Sequence, residues 1–236
     1  MRLSARRSAP SPDGWRLLVP VKDSAHAKSR LGEVSGVRRP DLALAFARDT
    51  VRAALSCPAV ASVTVVTGDE HVAAVMMSDG ALVVGEGASG LNEAIAAAVG
   101  SMPADAGIAV LLGDLPALTA AELAYALDLA ADHDMAFVPD SSGVGTTLLA
   151  AARPALLRAR FGPGSALAHE QAGAVRLTGY GLERVRRDVD DLADLRAAER
   201  LGLGPHTRLL LREVDLGDAG RQVDEAALLE DRPTCT

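Results

Sequence analysis

Ile108-Ala109-Val110-Leu111-Leu112 runs straight into Gly113-Asp114-Leu115-Pro116. An unbroken apolar run bounded by a turn reads as a strand buried on both faces, and such strands belong in the middle of a parallel sheet. The turn that ends the run has a definite chemistry. Gly113 lets backbones approach closely, and Pro116 stops the strand and prepares the next helix. Asp114 is left just past the strand's C-terminal end. In α/β proteins that end of a central strand opens on the crevice where ligands bind.

On either side, short β-branched runs alternate with Ala/Leu-rich stretches at helical spacing, the pattern of an α/β fold with a mostly parallel sheet flanked by helices. Strands are expected at Leu17–Val21, Ser62–Thr67, Ala81–Val84, Ala136–Val138, Thr146–Ala151, Val175–Thr178 and Glu183–Val189. Helices are expected at Asp41–Leu55, Glu70–Ser78, Leu91–Val99, Ala120–Ala131, Ala166–Gln171 and Asp191–Leu201. The 236 residues suit a single domain over 15–207. Before it, Met1–Gly14 carries Arg2, Arg6 and Arg7 with no apolar stretch of a secretory signal, and reads as a disordered leader. After it, the acidic segment 208–236 reads as a tail or an extra helix.

A net charge of −7 and an aromatic content of 3%, with the arginines scattered, exclude a nucleic-acid partner of the base-stacking kind. No apolar run reaches the roughly 18 residues that span a bilayer. Cys57 and Cys235 lie far apart, without disulfide or zinc spacing, which suits a reducing, cytoplasmic setting.

Lys22 and Lys28 are the only lysines among 24 basic residues, and both fall in the loop after the first apolar run. Where Arg serves every other need for positive charge, a loop that keeps two compact ammonium groups suits a polyphosphate. Arg30 follows in the same loop. Further on, Arg187-Asp188-Val189-Asp190-Asp191 offers two readings. Alternation along a strand would put Asp188 and Asp190 on one side as paired cation ligands, whereas Asp190 or Asp191 would cap the helix that follows. Asp114, just past the central strand, is separately well placed as one carboxylate of a Mg2+ site that completes its shell with substrate phosphates.

Two turns, Asp140–Thr147 and Arg160–Ser165, are rich in glycine and hydroxyls. Each could form a backbone nest for an anion or serve only as a turn. Gly85-Glu86-Gly87-Ala88-Ser89-Gly90 spells a dinucleotide fingerprint but follows the third strand, whereas that motif belongs to the first. A NAD-dependent dehydrogenase therefore rests on weak ground. Asn92, just beyond, is either a helix cap or a reader of a nucleoside. The five histidines form no ligand cluster, and no nucleophile elbow or Cys/His pair points to covalent catalysis.

Taken in order, the Pro-Val-Lys…Ala-Lys-Ser-Arg-Leu loop, Leu-Asn-Glu-Ala-Ile, Gly-Asp-Leu-Pro-Ala-Leu, the Gly-x-Gly-Thr turn, Arg-Phe-Gly-Pro-x-Ser and Asp-Val-Asp resemble the CofC/FbiD-like guanylyltransferases of coenzyme F-420 biosynthesis, from about Leu17 to Thr207. The resemblance implies a nucleotidyltransferase-type, Rossmann-like fold. It implies transfer of GMP from GTP to phosphoenolpyruvate or 2-phospho-L-lactate, with release of pyrophosphate. By the same resemblance Asp114, Asp188 and Asp190 hold Mg2+, and Lys22, Lys28 and Arg30 cover the GTP phosphates. Asn92 lies on the nucleoside side, while Thr146, Gly162 and Ser165 bind the phosphorylated acid. A homodimer and a transient contact with the next pathway enzyme complete the partners. A nucleotide-sugar-dependent glycosyltransferase is the rival, because its fold also uses an Asp-x-Asp metal site.

Overall fold

A computed structural model describes residues 14–21, 37–85 and 90–212. Among these residues, seven strands form one sheet: β1 (Trp15–Pro20), β2 (Val60–Thr67), β3 (Leu82–Gly85), β4 (Ile108–Leu111), β5 (Met135–Pro139), β6 (Thr146–Ala151) and β7 (Val175–Arg176), in the order β3-β2-β1-β4-β6-β5-β7. β1 pairs in parallel with both β2 and β4, and β2 with β3. β6 runs antiparallel to both β4 and β5. Its reversal has a local cause: a short turn with no helix joins it to β5, and only antiparallel neighbours can be joined that way. The central place expected for Ile108–Leu111 is observed, and every residue of the strand is buried.

The helices are α1 (Arg39–Leu55), α2 (Glu70–Ser78), α3 (Leu91–Gly100), α4 (Ala120–Ala131), α5 (Ser165–Gln171) and α6 (Leu192–Leu201), and residues 205–212 form a further helical segment. Several of their starts are local chemistry. Asp69, Thr119 and Asp191 each accept a backbone N–H of the first turn, at α2, α4 and α6. The core divides into one cluster on each face of the sheet and a third in which Leu42, Phe46, Ala117, Val189, Leu195 and Ala198 meet. Leu210 and Leu211 pack on this third cluster, so the chain stays engaged with the domain beyond Thr207.

One expected strand is absent. Glu183–Val189 is a series of turns leading into an irregular stretch. Leu182 just before it and Val185 and Val189 within it are buried, three and four apart, a turn spacing rather than the alternation of a strand. The Arg184 and Val185 N–H groups go to the Glu122 carboxylate, and Arg186 N–H goes back to Leu182 O. Those donors are therefore not available to a ladder.

No helix among the described residues is long and apolar enough to cross a membrane. The leader 1–13, the 86–89 part of the glycine fingerprint and the chain after 212 lie outside the described residues, as does Cys235.

Candidate active site

β1 has β2 on one side and β4 on the other, although the chain reaches β4 only after β2 and β3. The strand order reverses there, which makes the C-terminal ends of β1 and β4 the switch point of the sheet, where α/β folds place ligands. Two features meet at this point. β1 ends at Pro20, and Val21 follows with its N–H on Val66 O. β4 gives way to the Gly113-Asp114 turn. A Cβ added at Gly113 would lie 3.0 Å from Val21 Cγ2 and 3.1 Å from Pro20 O, so the glycine is what lets the two chain segments touch. The expected close approach is thus present. Lys22, Lys28 and Arg30, which follow Val21 in the sequence, lie outside the described residues.

The Asp114 turn is held from beneath by α1. The Thr50 hydroxyl, fully buried, accepts the Leu115 N–H at 3.0 Å and lies 2.9 Å from Phe46 O and 3.3 Å from Gly113 O, to which it donates. Asp114 Oδ1 is itself buried. The Asp114 carbonyl accepts the N–H of Val189 at 3.1 Å. That bond brings Asp188 and Asp190, on either side of Val189, alongside the turn. They reach it without the strand alternation expected from sequence.

The competing cap reading is resolved by Asp191, whose side chain accepts the Asp194 N–H, while Asp194 accepts the Asp190 N–H in return. Arg186 and Arg187 tie the same segment to the β5–β6 turn, on Asp140 O at 2.8 Å and on the Ser141 hydroxyl at 2.9 Å. Among the described residues no three acidic, His or Cys side chains converge as a group able to cage a metal. The all-oxygen donors nevertheless suit a hard cation that takes one or two carboxylates and completes its shell with phosphate oxygens and water.

A second cluster of polar groups lies where β6 begins. Leu112 N–H bonds Thr147 O, so Thr146 sits on the strand beside the Asp114 turn, at the same edge of the sheet. Thr146 is only 2% exposed, and its hydroxyl is 2.9 Å from Nδ1 of His169, which is fully buried in α5. Nε2 of that ring accepts the Arg160 N–H at 3.0 Å, and the ring meets Phe161 edge-on. Ser165 N–H bonds Gly162 O, and Ala166 N–H bonds Val144 O. Thr146, Gly162 and Ser165, expected to serve one substrate, are thus linked through His169 and the 160–165 turn. Gly162 has φ 142° and open space where a side chain would be, so any other residue would be strained.

Sequence reading did not single out His169, because a lone His without ligand spacing carries no signal. Its position one helical turn after Ser165, on the buried face of α5, was the available hint. Burial first, and the nearby Arg160 charge second, push its pKa down from 6.5 to about 4.

Two further expectations change. Asn92 is not the cap of α3, since Gly90 holds that position at φ 98°. Its amide instead grips the backbone of one residue through both polar groups, donating to Phe161 O and accepting the Phe161 N–H, each at 2.9 Å. Asn92, expected on the nucleoside side, thus also clamps the 160–165 turn. The Asp140 turn is not an open anion nest either. Its own carboxylate accepts the N–H groups of Val144 and Gly145 and the Ser142 hydroxyl.

The sequence and the fold both have known counterparts. A family model for CofC-like guanylyl transferases matches residues 15–221. A phosphoenolpyruvate guanylyltransferase of Streptomyces avermitilis is 50% identical over 198 residues, covering 82% of this chain and 92% of that protein. One from Mycolicibacterium gilvum is 43% identical over 209 residues, covering 86% and 96%. Among solved structures, a protein described as a nucleotide-diphospho-sugar transferase from Desulfovibrio desulfuricans G20 superposes with a TM-score of 0.64 at 19% identity, over 86% of this chain and 95% of that one. A 4-diphosphocytidyl-2C-methyl-D-erythritol synthase from Anaerococcus prevotii superposes at 0.54 with 9% identity, over 79% and 95%. At those identities the likeness is one of fold.

Proposed function

Since this chain belongs to the family of CofC-like guanylyl transferases, we propose that it joins GMP from GTP to phosphoenolpyruvate and releases pyrophosphate, in the cytoplasm and in the service of coenzyme F-420 biosynthesis. The observation that carries the reading is the meeting of Asp114 with the exit of β1 at the switch point. It sets the Asp114 turn against Val21, the residue after which the Lys22–Arg30 stretch of the sequence follows.

A phosphate oxygen of the acid attacks the α-phosphorus of GTP. The new P–O bond forms as the α–β bridging bond breaks, and the pair of electrons leaves with pyrophosphate. A phosphate monoester is already nucleophilic at neutral pH, so the chain needs to supply position and charge rather than a general base. Lys22, Lys28 and Arg30 neutralise the triphosphate and the departing pyrophosphate. Asp114, Asp188 and Asp190 would hold Mg2+. When bound, that ion supplies positive charge against the phosphate oxygens. Thr146, Gly162 and Ser165 take the acid, and Asn92, on the nucleoside side, also clamps the turn that carries Gly162 and Ser165. Phosphoenolpyruvate is preferred over 2-phospho-L-lactate because the relatives at 43–50% identity bear that name.

Pyrophosphate release with Mg2+, for each of the four NTPs against phosphoenolpyruvate, 2-phospho-L-lactate and 3-phospho-D-glycerate, tests the reading. Turnover is expected with GTP and phosphoenolpyruvate. Silence across the grid from folded protein, repeated with the next pathway enzyme present to draw off product, would overturn it. Asp114→Asn should cut kcat by at least about a hundredfold. Near-normal turnover of that variant at saturating Mg2+ would remove Asp114 from the metal site.

A further inference from the structure

His169 meets two polar partners from inside the core, and the two constrain each other. A neutral imidazole has one donor nitrogen and one acceptor nitrogen. Nε2 lies 3.0 Å from the Arg160 backbone N–H, which can only donate, so Nε2 must accept. The ring proton is then on Nδ1, 2.9 Å from the Thr146 hydroxyl oxygen, which must accept it. With its oxygen engaged from the α5 side, the Thr146 hydroxyl has to send its own hydrogen elsewhere. The ring is fixed in place by burial, by Phe161 edge-on at 5.1 Å between centroids and by Phe137 at 5.9 Å. It is also kept neutral, since its pKa is lowered to about 4.

We propose that His169 is a positioning residue for the acid substrate: it sets the Thr146 hydroxyl as a donor towards an anionic oxygen and, through Arg160, holds the Gly162–Ser165 turn beside it. The inference rests on the reading of Thr146, Gly162 and Ser165 as the acid site. It deepens that reading by giving the site a fixed hydrogen-bond polarity. A hydroxyl locked as a donor suits a phosphate or carboxylate oxygen, which can only accept, and disfavours a ligand that offers a hydroxyl donor at the same point.

Two near-isosteric replacements separate the arms of the relay. His169→Asn keeps an N–H donor near the Nδ1 position, and His169→Gln keeps an acceptor near Nε2. Thr146→Val removes the same bond from the substrate side, taking the acceptor from Nδ1–H while leaving the Arg160 N–H on Nε2. Melting temperatures confirm that each variant is folded, and initial rates are measured with phosphoenolpyruvate varied at saturating GTP and the reverse. Thr146→Val is expected to raise the KM for the acid about ten- to a hundredfold, the usual worth of a hydrogen bond to a charged group. His169→Gln should raise the same KM severalfold with the KM for GTP unchanged, and His169→Asn should recover most of that loss.

In the Thr146→Val background, adding His169→Gln should change the KM little, because the hydroxyl through which it acts has gone. Independent, multiplying penalties would overturn the relay while leaving the acid site in place. So would equal losses of His169→Gln on both substrates. An unchanged KM in Thr146→Val alone would remove Thr146 from the acid site, and the relay with it.

Discussion

A single hydroxyl, that of Thr50, holds both flanks of the Asp114 turn, since it faces Gly113 O and takes the Leu115 N–H. Thr50→Val keeps the shape and leaves that buried N–H without its acceptor. The expected loss is about 1–3 kcal/mol in urea denaturation, together with a fall in turnover as Asp114 drifts. His169 makes a different prediction, in pH. Its folded pKa, about 4, lies below the ordinary 6.5, so between these values the unfolded chain binds the proton that the folded chain rejects. The contribution of His169 to stability is therefore complete above pH 6.5 and is lost as pH falls towards about 4. The full difference is roughly 3 kcal/mol. Urea midpoints at pH 7 and at about pH 4.5 should differ less in His169→Gln than in the natural protein. At this scale Asp114 was legible from the sequence, because a carboxylate after a buried strand needs only local pattern to be seen. The new role of Asn92 was not, since its partner Phe161 is 69 residues away.

Among the elements, α1 and α4 act as brackets for segments that have little regular structure of their own. The Asp49 carboxylate of α1 accepts the N–H groups of His206 and Thr207, both at 2.9 Å, and so starts the 205–212 helix from outside. The Glu122 carboxylate of α4 does the same for Arg184 and Val185, at the head of the segment that carries Asp188 and Asp190, and burial pushes its pKa up. The two brackets should fail differently. Asp49→Ala is expected to lower stability by about 1–2 kcal/mol, with the Mg2+ concentration for half-maximal turnover unchanged. Glu122→Ala should raise that concentration severalfold, because the Asp188–Asp190 segment loses its anchor. An equal response of both variants in the Mg2+ titration would contradict this division. The strand expected at Glu183–Val189 failed for the same reason that Glu122 matters. A distant side chain had taken the backbone donors that a ladder would have used.

Across the whole molecule, the sheet gathers at one edge what the chain spreads over many residues: the exit of β1, the Asp114 turn, the Asp140 turn with Thr146, and the segment at Val189. On the proposed assignment the two substrates are met on different strands, so their kinetics should separate. Ser165→Ala is expected to raise the KM for the acid with that for GTP held. Asp114→Asn should lower kcat with both substrates at saturation. Steady-state titration of each substrate in turn checks this. The sequence alone determined the α/β class, the central strand, most of the helices with the acidic cap of α6, and the order of the motifs. All of these depend on hydrophobic period and on contacts within a few residues. Tertiary structure alone decided that His169 joins Thr146 to Arg160, that Asn92 grips Phe161, and that Asp49 and Glu122 seat remote backbone. Each of these bonds closes a gap between residues that pattern does not relate, and only the packing of helices on the sheet chooses which donor meets which acceptor.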